Sequence, residues 1–151
     1  MNYYRIAICF MLLAFNSHAQ DLVRFNETNV NKTRENSFVT ITLPFEILEG
    51  YHIQSESETL DGSLATEITF EDSNLFEIVS YEYSKKQNEI VVLSQYAHNV
   101  LVNKFEVTIR IKLNKDALNL QNHINGQLYY QACTDKRCLF PRTLNFQVLN
   151  I

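Results

Sequence analysis

Two cysteines, Cys133 and Cys138, lie close together in the stretch YYQACTDKRCLFP, residues 129–141. A pair of thiols can form a structural disulfide, contribute to a metal site, or open and close during thiol–disulfide exchange. Charged side chains stand between the two cysteines, and aromatic residues flank them on both sides. Which of these chemistries the pair performs depends on its compartment, its spacing and the elements that hold it.

The N-terminal residues 1–19 have the features of a secretory signal peptide. Arg5 precedes an apolar run, and Ser17 and Ala19 place small residues at the positions that a signal peptidase reads. The apolar run spans about ten residues, whereas a membrane-spanning helix needs roughly 20. We therefore expect cleavage near Ala19 and a periplasmic or secreted chain with no membrane span in its mature part. The alternative is an N-terminal anchor or a buried helix.

Cleavage changes the cysteine count and the charge of the chain. It removes Cys9, so that Cys133 and Cys138 remain and can form a single internal bridge. An exported compartment favours disulfides. Cleavage also removes Arg5, which leaves 12 of the 13 basic residues against 17 acidic ones. This acidic balance argues against nucleic-acid binding, which usually requires a basic surface.

The spacing of the two cysteines makes their bridge inefficient as a staple. A disulfide that closes so short a loop stabilises the fold by about 2 kcal/mol in the loop-entropy treatment. A bridge between distant strands would stabilise a domain of this size more strongly. The spacing therefore favours a pair whose sulfurs meet and part, while an incidental local disulfide stays open as an alternative.

The neighbouring residues point in the same direction. Lys136 and Arg137 precede Cys138, and their positive charge favours the thiolate, which is the nucleophile in disulfide exchange. Asp135 has the opposite effect. The rings of Tyr130 and Phe140 are candidates for shielding the sulfurs, although both also fit ordinary cross-strand packing.

A metal site would need further ligands near the cysteines. His52, His98 and His123 are scattered along the chain, whereas zinc motifs usually bring tight Cys or His pairs at both ends. We therefore expect no metal and no cofactor.

Alternation of apolar and polar residues with a period of two runs through most of the chain. It is clearest in SFVTITLPFEIL and KFEVTIRIKL, and it continues in LATEITFE and TLNFQVLNI. The segments LFEIVSYEY, EIVVLSQ and GQLYYQA carry weaker strand patterns. Half-buried antiparallel strands have this period. Residues 114–124 carry the one helical hint, which fits a short turn or loop better than a long helix.

Short strands without a helical layer predict an all-β fold, an immunoglobulin-like antiparallel β-sandwich. We place this domain at residues 37–151. Residues 20–36 form a polar lead-in between the signal peptide and the sandwich.

The segment GQLYYQACTDKRCLFPRTLNFQV resembles the N-terminal domain of the thiol:disulfide interchange protein DsbD family. That family carries a Tyr-Gln-x-Cys segment, a second cysteine shortly after it, and then a proline. The matching residues are Tyr130-Gln131-Ala132-Cys133, Cys138 and Pro141. Upstream, EGYHIQSES resembles the family's Gly-aromatic-His/Tyr segment, and LATEITFED falls where the family has its next strand.

The resemblance implies an immunoglobulin-like sandwich in the periplasm with a reversible Cys133–Cys138 disulfide near its surface. Such a domain takes electrons from a membrane-embedded partner and gives them to oxidised periplasmic thiol proteins. The family also shields its cysteines with an aromatic cap loop, and Tyr81 and Tyr83 are candidates for that region.

We therefore predict a protein-disulfide reductase component, a dithiol/disulfide relay for electron transfer to oxidised partner proteins. Cys138 is the predicted attacking sulfur because Lys136 and Arg137 adjoin it, and Cys133 resolves the mixed disulfide. Family members continue into a transmembrane domain, whereas this sequence ends at Ile151. We therefore expect a membrane thiol-reductase donor in trans. The alternative function is a non-catalytic immunoglobulin-like binding or assembly module with an inert local disulfide.

Overall fold

The computed structural model describes residues 21–55, 64–71, 75–84, 87–91, 96–114 and 123–149. The predicted signal peptide and most of the segment 114–124 lie outside these ranges. Within the described residues no helix is both long enough and apolar enough to span a bilayer.

Strands account for nearly all of the regular structure in the described ranges. In chain order they are β1 (Val23–Phe25), β2 (Asn31–Glu35), β3 (Phe38–Ile47), β4 (His52–Gln54), β5 (Glu67–Phe70), β6 (Phe76–Tyr83), β7 (Gln87–Val91), β8 (Tyr96–Val102), β9 (Lys104–Leu113), β10 (His123–Tyr130), β11 (Ala132–Cys133) and β12 (Arg142–Leu149). One turn of 3-10 helix, Glu27–Asn29, separates β1 from β2.

The strands form three antiparallel sheets. The first has the order β1-β3-β9-β6, with β2 also paired to β3, the second the order β12-β10-β5, and the third the order β11-β4-β8-β7. Strands β10 and β12 form a long hairpin with a continuous register from His123 opposite Leu149 to Tyr130 opposite Arg142. The cysteines lie where this hairpin leaves the second sheet and reaches the third.

The two strongest alternating patterns form the centre of the first sheet, as predicted. Every second residue of β3, from Val39 to Ile47, is buried, and β9 shows the same alternation from Phe105 to Leu113. The two strands pair over nine residues, from Phe38 opposite Lys112 to Glu46 opposite Lys104. One face of each strand is therefore apolar and buried, as a sheet that covers a core requires.

The core lies between the first sheet and the two smaller ones. Phe45 of the first sheet stacks on Phe105 at 5.1 Å and meets the ring edge of Phe146, on the second sheet, at 5.5 Å. Ile53 and Leu101 of the third sheet belong to the same buried cluster. The molecule is thus an all-β, immunoglobulin-like antiparallel sandwich, and the predicted fold class is confirmed.

The structure places two strands in the segment that the sequence pattern assigned to a polar lead-in. Both β1 and β2 pair with β3, and Val23 is buried in the core. Every residue of β2 is exposed, so this strand is held by its backbone pairing and carries no apolar signal. Strand β4 also went unpredicted, because three residues are too few to show a period of two.

Candidate functional site

The cysteine pair closes a tight antiparallel turn. Cys133 ends β11, and Cys138 faces it as an isolated antiparallel bridge partner. Their sulfurs form a disulfide, and their Cα atoms lie 3.9 Å apart. Paired residues that exchange no backbone hydrogen bond approach most closely in antiparallel strands, at about 4.5 Å between Cα atoms. The bridge therefore joins two backbone positions that the turn itself brings together.

Hydrogen bonds on both sides of the pair hold this turn. The Thr134 N–H donates to the Arg137 carbonyl at 2.9 Å, and the Leu139 N–H donates to the Ala132 carbonyl at 2.9 Å. The Thr134 hydroxyl oxygen also accepts the Lys136 and Arg137 N–H groups at 3.3 Å each. Serine and threonine often stabilise turns in this way. The cysteine backbones are thus held together by contacts that do not depend on the sulfur–sulfur bond.

The side chain of Gln131 ties the turn to the neighbouring loop. Its Nε2 donates to the Leu139 carbonyl at 2.9 Å, and its Oε1 accepts the Leu64 N–H at 3.3 Å. The residue lies between β10 and β11, where the chain passes from the second sheet to the third. Gln131 belongs to the quoted Tyr-Gln-x-Cys segment, but the sequence did not indicate this bridging role.

The two cysteines differ in exposure. Cys133 is fully buried, at 0% relative exposure, whereas Cys138 is exposed. Lys136 and Arg137, predicted to favour the thiolate, are both exposed in the same turn, as is Asp135. Cys133 has His52 of β4 as its register partner on one side and Cys138 on the other.

The two aromatic residues nearest the cysteines occupy opposite environments. Tyr130 is 3% exposed and belongs to the hydrophobic core together with Ala132. Burial, partly offset by the charge of Arg142, raises the pKa of its phenol. The ring of Phe140 is 90% exposed, so it covers little of the surface beside it. A shielding role for either ring stays a prediction.

Tyr81 and Tyr83 lie on β6 of the first sheet, whereas the cysteines adjoin the third sheet. Tyr83 is buried, and its hydroxyl donates to the Thr66 carbonyl at 3.4 Å. Tyr81 is 44% exposed and meets Tyr83 edge to face at 6.1 Å. Both tyrosines therefore belong to a regular strand, and their predicted place in a cap loop over the cysteines stays untested.

A buried histidine lies directly beside the disulfide. His52 on β4 is the register partner of Cys133 on β11 and is 7% exposed. The sequence offered no signal for this proximity, because 80 residues separate the two positions and β4 is short. Among the described residues no three His, Cys, Asp or Glu side chains cluster in a way that would bind a metal ion.

Comparisons with known proteins give the fold a context. A scan against protein-family models and a search of curated proteins find no match. Among solved structures, the N-terminal periplasmic domain of ScsB from Proteus mirabilis matches with a TM-score of 0.56 and 16% identity, over 90% of this chain and 49% of that chain. This chain therefore spans about half the length of the ScsB structure.

Two further solved structures with a similar fold come from different classes of protein. The N-terminal domain of DsbD from Neisseria meningitidis, in the reduced form, matches with a TM-score of 0.47 and 15% identity, over 80% of this chain and 82% of that one. The GAE domain of yeast GGA1 matches with a TM-score of 0.51 and 10% identity, over 89% and 94%. The structural neighbours thus include the DsbD N-terminal domain that the sequence resembles. At these identities the chain shares its β-sandwich fold with the ScsB N-terminal periplasmic domain and with the GAE domain.

Proposed function

We propose that this chain relays electrons between exported thiol proteins through reversible opening of the Cys133–Cys138 disulfide. The observation that carries the proposal is the unequal exposure of the pair. A protein thiolate approaching from solvent can reach Cys138, while Cys133 lies beneath the surface. Thiol–disulfide exchange depends on which sulfur is accessible to attack.

The exposed position defines a complete exchange cycle. A thiolate of the donor attacks the Cys138 sulfur, and the electron pair of the broken bond passes to the Cys133 sulfur. The second thiol of the donor then displaces Cys138, so that the donor is oxidised and the pair becomes a dithiol. In the next half-cycle the Cys138 thiolate attacks the disulfide of an oxidised partner, and Cys133 resolves the mixed disulfide.

The turn supports such cycling because the cysteines stay close when the bond opens. The hydrogen bonds of Thr134 and Leu139 with Arg137 and Ala132 do not involve sulfur. Because the bridge constrains so short a loop of the unfolded chain, its loss lowers the free energy of unfolding by about 2 kcal/mol in the loop-entropy treatment. The pair can therefore change redox state without unfolding the sandwich.

The charges and the fold neighbours support the same function. Lys136 and Arg137 are exposed in the turn and favour a thiolate at Cys138, although Asp135 opposes them. The ScsB neighbour is a periplasmic domain. We infer a periplasmic or secreted location, oxidised thiol proteins as electron acceptors, and a membrane thiol reductase as the donor in trans.

Redox equilibration combined with trapping tests the proposal. The purified chain is equilibrated in glutathione or dithiothreitol buffers, and the reduced fraction is read by thiol alkylation. We expect a potential above about −300 mV, since structural disulfides of secreted proteins typically lie below that value. We also expect Cys133→Ser to trap mixed disulfides through Cys138. A lower potential, together with the absence of trapped species, would contradict the relay.

A binding module with an inert disulfide is the second candidate. The same sandwich occurs in the GAE domain of yeast GGA1, so the fold alone does not require redox chemistry. An inert bridge should resist reduction by glutathione, and its two single-serine variants should behave alike in trapping. The redox experiment therefore separates the two functions.

A further inference from the structure

The strand register aligns a third residue, His52, with the two cysteines. Cys133 faces Cys138 on one side and His52 on the other, both as antiparallel partners. Directly opposed residues of antiparallel strands point to the same face, with Cβ atoms about 4.5–5.5 Å apart. Cys138, Cys133 and His52 therefore form a row across one face of the third sheet.

This row lies on the face of the sheet that is turned away from the main core. The next register row, Ala132 opposite Ile53 and Ile53 opposite Leu101, belongs to the hydrophobic core cluster. Because side chains alternate between faces, Cys133 and His52 point to the other side. Both are nonetheless buried, at 0% and 7% exposure, so the two side chains lie where little water reaches them.

The register partners nearest to His52 on the neighbouring strand β8 are uncharged. Val102 is the register partner of His52, and Val100 faces the uncharged Gln54 in the next row. The charged residues near the pair belong to the turn and are exposed: Asp135, Lys136 and Arg137. Among the described residues, His52 is the titratable side chain in register with Cys133.

The exchange cycle creates a need for a proton at this position. Attack on Cys138 expels Cys133 as a thiolate, and burial disfavours the charged form of a thiol. Histidine is the side chain that gains and loses a proton near neutral pH. A proton donor next to the leaving sulfur would therefore lower the barrier to opening the bond.

We propose that His52 is the general acid and base for Cys133, an inference that rests on the proposed relay. As the bond opens, the electron pair passes to the Cys133 sulfur and the imidazolium of His52 gives that sulfur its proton. The neutral imidazole is then reprotonated from solvent. When Cys133 resolves a mixed disulfide, His52 takes the thiol proton back, and the new thiolate attacks the Cys138 sulfur.

The first experiment measures thiolate formation at Cys133 alone. In a Cys138→Ser background, thiolate absorbance is followed against pH with His52 intact and with His52→Gln. We expect about tenfold less thiolate near neutral pH in the His52→Gln protein, which corresponds to one pH unit in the midpoint. His123→Gln, an exposed histidine on β10, is the matched control and should leave the midpoint unchanged.

A second readout uses the unmodified chain, so it tests the inference even if His52→Gln folds poorly, and a third uses the folded variant. In the unmodified chain, the nuclear magnetic resonance titration of the His52 ring should change its midpoint when the disulfide is reduced, because the two groups titrate as a coupled pair. Dithiothreitol should also open the bond about tenfold more slowly in a folded His52→Gln protein. This effect is smaller than the rate enhancement that general acid catalysis typically contributes.

The outcomes separate this inference from the relay. Identical thiolate midpoints with and without His52, or a His52 titration that ignores the redox state, would overturn the proton role even if the relay is active. A potential below about −300 mV would instead contradict the relay. The ring titration still measures the coupling in that case, because the chain can be reduced chemically.

Discussion

Cys133 and Cys138 share one covalent bond yet occupy different environments, one fully buried and the other exposed. The sequence reduced the candidates to this pair and ranked Cys138 as the attacking sulfur from the charges of Lys136 and Arg137. It could not show the difference in exposure, because exposure depends on the tertiary structure, in which Cys133 pairs with β4. At the scale of the residue, the exposure of Cys138 therefore supports the same attacking sulfur that the neighbouring charges predicted.

Single-cysteine variants test this direction. Cys133→Ser leaves the exposed thiol and Cys138→Ser leaves the buried one, so we expect the first variant to react at least about tenfold faster with the neutral disulfide dithiodipyridine. Release of thiopyridone, followed by absorbance, measures both rates. Equal rates in two folded variants would contradict the assignment of Cys138 as the surface sulfur.

The basic residues of the turn should act on the same thiol. In the Cys133→Ser background, Arg137→Glu should slow the reaction with dithiodipyridine by about two- to fivefold at neutral pH, because a negative neighbour disfavours the thiolate. The effect should shrink at high ionic strength, which screens exposed charges. Lys112→Glu makes the same charge change on an exposed position of β9 and is the control. An equal loss of rate in the control would rule out a local role for Arg137.

At the scale of the element, the cysteine turn is an extension of the β10–β12 hairpin. The hairpin runs in register along the second sheet, and its chain then crosses to β4 of the third sheet through Gln131. The long strands β3, β9 and β12 were predictable because their alternation is strong. The short strands β4 and β11 were not, since two or three residues carry no measurable period and are defined by their partners.

Removal of the Gln131 bridge should destabilise the chain. Gln131→Leu leaves the Leu139 carbonyl and the Leu64 N–H without their side-chain partner, and a lost pairing of this kind costs about 1–3 kcal/mol. Urea unfolding of the oxidised protein measures the change in the free energy of unfolding. The control Gln127→Leu, exposed on β10, should stay within about 0.5 kcal/mol of the parent chain. Equal losses in both variants would refute the bridging role.

At the scale of the whole molecule, the sandwich holds the cysteine turn at its surface. The two layers meet in aromatic contacts such as that of Phe45 with Phe146. The turn contributes Ala132 and Cys133 to the buried residues, while its tip stays exposed.

The buried phenol of Tyr130 should make the free energy of unfolding decrease at alkaline pH. Burial raises the pKa of its phenol above the ordinary value of 10.0, so the phenol ionises more readily in the unfolded chain. The stabilisation is fully present below about pH 10 and declines as the pH rises through the pKa of the folded state. We expect urea-derived stability to fall as the pH rises above about 10 in the parent chain and to fall less in Tyr130→Phe.

The control for this prediction is Tyr129→Phe, because Tyr129 is the preceding residue and is 38% exposed. It should reproduce the alkaline loss of the parent chain. An unchanged pH response in Tyr130→Phe would contradict the contribution of that phenol.

The sequence by itself determined the all-β class, the long central strands, and the presence of one closely spaced cysteine pair, Cys133 and Cys138. These features follow from local composition and a period of two, which a single strand displays without knowledge of its partners. Only the tertiary structure decided that Cys133 is buried, that Cys138 is exposed, and that His52 lies in register beside the buried sulfur. Those properties arise from pairing between segments 80 residues apart, and pairing of that kind leaves no periodic trace in the chain.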